Sequence, residues 1–156
     1  MYFVLATSEN GKPRRRTVVL RKTLLDTSLV INTDKRTPKI KDIQNNAEFS
    51  ALFYDSKKQL QLRIEGKAEL ITDTVQIARY WHTIQASSRK DYTTNSAPGN
   101  PVINPDDIPY KSEENYFCPV KLILNKIEYL RLQRPNHVRI LFSRIYTDWS
   151  GEFLVL

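Results

Sequence analysis

The chain has 156 residues, with 24 Lys and Arg against 17 Asp and Glu, for a formal charge of +7. With 40 % apolar and 26 % charged residues, it has the composition of a soluble globular protein, and its length suits one domain, residues 1–156, with a core of its own. The single cysteine, Cys118, excludes an internal disulfide framework, and no apolar run approaches the roughly 18 residues of a membrane-spanning helix.

The opening Met1–Thr7 reads as a strand rather than a secretory leader, since it lacks a basic start and a long apolar core. The expectation is a cytoplasmic protein without membrane contact. A turn follows at Asn10-Gly11, a pair that takes positive φ cheaply. A second strand covers about Arg14 to Arg21, with Arg16, Val18 and Leu20 on one face and Thr17, Val19 and Arg21 on the other. Strand three runs from Leu29 to about Asn32. Thr37-Pro38 marks a helix start, with Ile40 and Ile43 facing inward and an end near Asn45.

Strand four covers Phe49 to Tyr54. In strand five Leu60, Leu62, Ile64, Ala68 and Leu70 alternate with polar residues, and Gly66 marks a bulge or bend. A helix capped at Thr72 or Asp73 extends to about Ile84. Residues 85–114, rich in proline, form a long loop with short helical pieces, one of them around Ser87 to Tyr92. A strand from Val120 to Leu132 changes phase near Asn125-Lys126, which predicts a bulge. Val138 to Tyr146 is the next strand, with Val138, Ile140, Phe142 and Arg144 on one side. Thr147 to Gly151 reads as a turn and Phe153 to Leu156 as a last strand. The sum is a mainly β chain, an antiparallel barrel of six to eight strands with one or two helices, closed so as to hide its edges.

The chemistry-bearing residues are mostly basic. Lys35-Arg36-Thr37-Pro38-Lys39 surrounds a helix start, where free N–H groups and the helix dipole favour an anion. A lysine in the first turn opposes that dipole, and a bound phosphate would offset it. Arg14, Arg15 and Arg16 alternate in direction, so a single phosphate meets at most one side of that strand. His82, His137 and Cys118 form no metal-ligand spacing, and no phosphate-binding glycine loop or nucleophile elbow is present. Redox chemistry would therefore need an organic cofactor. A single-strand nucleic-acid binder would use exposed aromatics, but Tyr2, Phe3, Phe49, Phe53 and Tyr54 mostly lie in apolar runs and read as core.

Four blocks carry a resemblance. Leu5-Ala6-Thr7 followed by Asn10-Gly11-Lys12-Pro13 and Arg16-Thr17-Val18-Val19-Leu20-Arg21 is the first. Ile31-Asn32-Thr33 with Thr37-Pro38-Lys39 is the second, Gln61 through Gly66-Lys67-Ala68-Glu69 the third, and Ile127-Glu128-Tyr129-Leu130 with Arg144 the fourth. Together they resemble the pyridoxamine 5'-phosphate oxidase-like, FMN-binding split-barrel family. The resemblance implies an FMN cofactor. Arg16 and Lys39 would hold its phosphate with the Thr37 hydroxyl, and Thr33 would touch the ribityl-phosphate. Val18 and Val19 would line the ring edge with Arg21 near its pyrimidine side, and Thr17 and Asn32 complete the set. Gln61, from the second subunit's half-site, and Arg144 would meet the ring's polar edge, with Gln85 and Ser87 as further contacts. It also implies a homodimer with the cofactor at the interface, a small-molecule substrate or electron donor, and no nucleic acid.

The departures are specific. Pro38 stands where the family has arginine, Asn32 replaces a tyrosine and Leu130 a tryptophan. Ile140 and Phe142 occupy the positions of an Arg-x-His pair that binds substrate phosphate in the vitamin B6 enzyme. The expectation is an FMN-binding oxidoreductase of undetermined substrate, with no catalytic residue or metal ligand identified. The alternatives are a non-catalytic flavin binder, a pyridoxamine 5'-phosphate oxidase proper, and a nucleic-acid or structural module.

Overall fold

Asn10 and Gly11 take φ of 50° and 77°, and this tight turn reverses the chain between β1 (Tyr2–Glu9) and β2 (Lys12–Thr23). The computed structural model, which describes residues 1–156, continues with β3 (Leu29–Asp34), α1 (Pro38–Asn45), β4 (Glu48–Asp55), β5 (Leu60–Leu70), α2 (Thr74–His82) and α3 (Ala86–Arg89). It ends with β6 (Phe117–Arg131), β7 (Val138–Ile145) and β8 (Asp148–Phe153). Between α3 and β6 lie two 3₁₀ turns, Lys90–Tyr92 and Pro105–Asp107, and a bridge from Thr94 to Tyr110.

All sheet pairings are antiparallel. The strand order is β3-β2-β1-β4-β5-β6-β7-β8, and β3 also pairs with β6. Six strands therefore close on themselves, and β7 and β8 extend as a wing. The division occurs within β6: residues 117–122 pair with β3, and residues 126–131 pair with β7. Asn125 is the extra residue where the β5–β6 register shifts, opposite Glu65 and Gly66, as the phase change predicted. Gly66 is required there. A Cβ on it would lie 1.9 Å from the Ile123 carbonyl oxygen.

The closed strands surround one core that includes Leu5, Ile31, Ile64, Val120 and Leu122. Ile40 and Ile43 of α1 plug into it, each 4 % exposed. Phe3 and Phe53 stack at 4.4 Å and Phe49 is buried, so these three rings serve packing, whereas Tyr2 and Tyr54, expected in the core, lie on the outward face of their strands and are exposed. The second helix is held differently. Trp81 meets Phe117 and Tyr92 at 5.4 and 6.0 Å, and no α2 residue is fully buried. Asp73 caps it by accepting from Gln76 N at 2.8 Å, and the helix ends at His82 instead of Ile84.

One strand differs from its expectation. The turn occupies Tyr146 (φ 57°) and Thr147, and Gly151 lies inside β8 instead of in a turn. The reason is contact: a Cβ at Gly151 would come within 2.9 Å of the Phe142 ring across the pair. Residues 154–156 are not strand.

Candidate functional site

The end of β3 and the start of α1 gather the first group. Lys39 lies in the first turn of α1, against the dipole, and donates from Nζ to Thr33 Oγ1 at 2.6 Å and to Thr37 Oγ1 at 3.2 Å. Thr33 and Thr37 are buried. Thr37 stands at the N-cap position, yet its hydroxyl donates back to Asp34 O at 2.8 Å and does not cap the helix. Burial, followed by the positive charge of Arg16, pushes the Lys39 ammonium below the ordinary lysine range. No carboxylate forms an ion pair with it. Asp34 is committed elsewhere: Arg36 grips both its oxygens, from Nε at 3.0 Å and Nη2 at 2.7 Å. That guanidinium lies 3.4 Å over the Tyr116 ring. Arg36 thus pins the loop before β6 and is not free for a ligand.

Arg16 opposes Leu5 in the β1–β2 pair, so its side chain leaves the sheet on the core side. It donates from Nη1 to Thr7 Oγ1 at 2.7 Å and pairs through Nη2 with Asp42 Oδ2 at 3.4 Å. Thr7 donates to the same Asp42 oxygen at 2.6 Å. Asp42, on α1, is 2 % exposed. Burial lowers the Arg16 pKa despite this partner. Arg16 therefore has a resident counter-ion, and Lys39 does not.

The second group lies on the other side of β3. The β2–β3 register steps from Leu20/Ile31 to Lys22/Val30, which leaves Arg21 as a bulge residue re-aimed out of the ladder. Arg21 and Asn32 face α2 across two adjoining recesses, of about 410 and 400 Å³. Lys22, Gln76, Arg79, Tyr80 and Thr83 complete the first; Thr83, Ile84, Gln85 and Ser88 complete the second. Asn32 Oδ1 is buried and has no hydrogen-bond partner, a cost a native structure normally relieves with a ligand or water. Of the two expected later contacts, Gln85 lines this recess and Ser87 does not. Val18 packs on the core, Val19 is half-buried, and Thr17 is exposed.

Gln61 and Arg144 join neither group. Thr33 opposes Cys118 on β6, while Gln61 opposes Leu130; the two positions are roughly 35–40 Å apart along the strand. Gln61, Leu130 and Arg139 form one row across β5, β6 and β7. Arg144 shares its face with Ile140 and Phe142, opposite to that of Arg139, and approaches the Trp149 ring at 6.0 Å. The basic residue that the structure brings beside Gln61 is therefore Arg139, tied to Glu128 at 3.2 Å. Arg139 was passed over in the sequence because the family resemblance, whose spacing the turn at 133–137 leaves loose, pointed to Arg144. Asp42 was also passed over, although it lies one turn beyond Lys39 beside the inward-facing Ile43. Arg79 was missed because α2 was read only for its apolar stripes.

Comparison with known proteins covers the same elements. Residues 1–72 match the family model described as pyridoxamine 5'-phosphate oxidase, FMN-binding domain. A curated relative, pyridoxine/pyridoxamine 5'-phosphate oxidase 2 of Arabidopsis thaliana, is 29 % identical over 171 residues, covering 97 % of this chain and 85 % of that protein. A pyridoxamine 5'-phosphate oxidase-related, FMN binding protein from Nostoc punctiforme superposes with a TM-score of 0.86 at 26 % identity, covering 99 % of this chain and 87 % of its own. PhzG from Burkholderia lata, solved with tetrahydrophenazine-1-carboxylic acid, shares the fold at a TM-score of 0.78 and 16 % identity, with 97 % and 80 % coverage.

Proposed function

We propose that the chain is an FMN-dependent oxidoreductase of the pyridoxamine 5'-phosphate oxidase-related family, as the match over residues 1–72 and the structural likeness support, and that its cofactor lies between two copies of the chain. The observation that carries this reading is Lys39: a half-buried ammonium, held by two threonine hydroxyls beside Arg16, with no carboxylate of its own. A phosphate dianion supplies the missing counter-charge. The unpartnered Asn32 Oδ1 fits the same cofactor, because it accepts a hydrogen bond from a ligand N–H or O–H.

Bound FMN would supply hydride or single-electron transfer. Lys39, Thr33 and Thr37 would hold its phosphate, and Arg16 would add positive charge that Asp42 keeps in place. Arg21, on its bulge, and Asn32 would face the rest of the molecule. No mononucleotide spans the length of β6, so Gln61 would serve the site of a second copy, with Arg139 of the same row beside it. Arg144, on the opposite face, is less well placed than Arg139 for that role.

Pyridoxamine 5'-phosphate as substrate gains no support from the strand that would bind it. Ile140 and Phe142 oppose Tyr129 and Ile127 on the apolar side of the sheet, where they offer no donor to a phosphate.

The test is retention of flavin. Purified protein mixed with FMN and freed of excess cofactor is expected to keep an absorbance band near 450 nm, at about one flavin per chain. It is also expected to elute as a dimer. Folded protein that retains no flavin would overturn the reading. Screening the flavin-loaded protein with reduced nicotinamides and amines for reduction of the bound flavin then identifies the donor.

A further inference from the structure

Arg36 stands just before Lys39 in the chain and reads at first as one more cation for the cradle. Its donors are engaged elsewhere. Of a guanidinium's five N–H groups, four are taken: Nε and Nη2 by the two oxygens of Asp34, Nη2 again by Thr94 Oγ1 at 3.1 Å, and Nη1 by Asn95 O at 3.1 Å. One face of the plane is covered by the Tyr116 ring. Asp34 is itself 4 % exposed. Every hydrogen bond to its carboxylate comes from Arg36, the third from the backbone N–H at 2.8 Å. A buried carboxylate stripped of such a partner draws another cation. Lys39 is placed for that. Thr37 links the two residues, accepting from Lys39 Nζ at 3.2 Å and donating to Asp34 O at 2.8 Å. Burial and Arg16 lower the Lys39 pKa, and the charge of Asp34 already acts against them.

We propose that Arg36 is a positioning residue that sets the cradle's preference for a phosphorylated flavin: it holds the Asp34 carboxylate away from Lys39 and so keeps that ammonium open to the phosphate. The Asp34–Arg36 pair thus discriminates FMN from riboflavin without contact with either. The inference rests on the flavin reading, because it takes Lys39 as the phosphate's partner. The same guanidinium ties the segment 93–116 to the loop between β3 and α1. Its loss therefore has a second, purely structural effect, which the test must separate from the first.

Four proteins are titrated with FMN and with riboflavin, followed by flavin fluorescence: the parent, Arg36→Met, Arg36→Lys and Asp34→Asn/Arg36→Met. The parent is expected to prefer FMN. Arg36→Met is expected to weaken FMN binding by about tenfold or more, the worth of a charge-assisted hydrogen bond, and to change riboflavin binding by less than about threefold. Arg36→Lys keeps the charge but not the two-point grip and should fall between. In Asp34→Asn/Arg36→Met the competing carboxylate is gone, while the amide oxygen can still accept from the backbone N–H of residue 36. FMN affinity is expected to return to within about threefold of the parent's. Limited proteolysis within 93–116 is expected to be faster in both proteins that lack Arg36, since neither anchors the segment.

FMN affinity that stays low in the double variant assigns Arg36 a direct or purely structural role and overturns the proposal. A parent without preference for FMN overturns it too, as does equal loss of FMN and riboflavin binding in Arg36→Met. Where Arg36→Met does not fold, Arg36→Lys must show a weaker preference for FMN than the double variant, and the reverse order refutes the role. If the parent takes up no flavin, the flavin reading has failed by itself, and calorimetry of the same proteins with inorganic phosphate decides. The same order of affinities supports the role of Arg36; equal binding by all, or none by the parent, refutes it.

Discussion

Lys39 donates to Thr33 Oγ1 at 2.6 Å while the nearest acid, Asp34, is fully occupied by Arg36. The ammonium is thus hydrogen-bonded but not neutralised. This is costly in the chain alone and becomes favourable once an anion binds.

Replacing Lys39 by Met separates those two roles. FMN affinity is expected to fall by about tenfold to a hundredfold, the worth of a charge-assisted hydrogen bond, as read by flavin fluorescence during titration. The flavin-free variant is expected to be as stable as the parent or more so, because a poorly solvated charge has been removed. Its urea midpoint reports this.

The same residue predicts a pH dependence. The Lys39 pKa is lowered in the folded chain by burial and by Arg16. Below that lowered value both folded and unfolded states carry the proton, and the folding penalty is fully present. Between it and the unfolded value of about 10.4 the unfolded state binds more protons, so stability rises with pH. The stability difference between flavin-free Lys39→Met and the parent is therefore expected to narrow as pH climbs towards about 10.4. A difference that stays constant over pH 7 to about 10.4 would contradict this.

Asp42 ties Arg16 and Thr7 together while only 2 % exposed. Asp42→Asn leaves a half-buried guanidinium without its counter-charge and is expected to cost about 2–3 kcal/mol in chemical denaturation, below the full value for a buried pair because Arg16 keeps some contact with solvent. Arg16→Met/Asp42→Asn is expected to cost less than the two single changes added together. The double-mutant cycle measures that coupling.

Gly66→Ala places a methyl group where the Ile123 carbonyl oxygen already lies, with 1.9 Å between them. Both positions belong to the paired β5 and β6, and a backbone oxygen cannot turn aside as a side chain can. The variant is expected to lose about 3 kcal/mol or to fail to accumulate as soluble protein. A midpoint within error of the parent would show that the bulge yields.

The length of β6 predicts complementation between copies. Lys39→Gln and Gln61→Glu are each expected to lose FMN retention, one from each end of the strand. Mixed and allowed to exchange subunits, they are expected to recover about a quarter of the parent's flavin, since half the dimers are mixed and each has one site with both residues intact. No recovery, with exchange demonstrated by differently tagged copies, would place both residues in one chain's site or in none.

The local features of this chain were decided by the sequence alone. Asn10-Gly11 permits only a tight turn, Thr37-Pro38 starts a helix at the observed residue, and the phase change at Asn125 marks a bulge, because each depends on φ, ψ or side-chain alternation within a few residues. The order of basic residues in 16–39 also pointed to the cluster that forms. The relations between distant strands were settled by tertiary structure. Whether Arg139 or Arg144 lies beside Gln61 depends on the register across β5, β6 and β7, and a one-residue change of phase moves a side chain to the other face. Whether Arg16 is free or paired depends on where α1 delivers Asp42. Gly151 was read as a turn residue because glycine has two uses, and only the Phe142 ring pressed against it distinguishes close approach from a bend. The acid-free recess, too, exists only once α2 is held by Trp81 against Phe117 and Tyr92. Its lining comes from residues 21–32 and 76–83, which no local pattern connects.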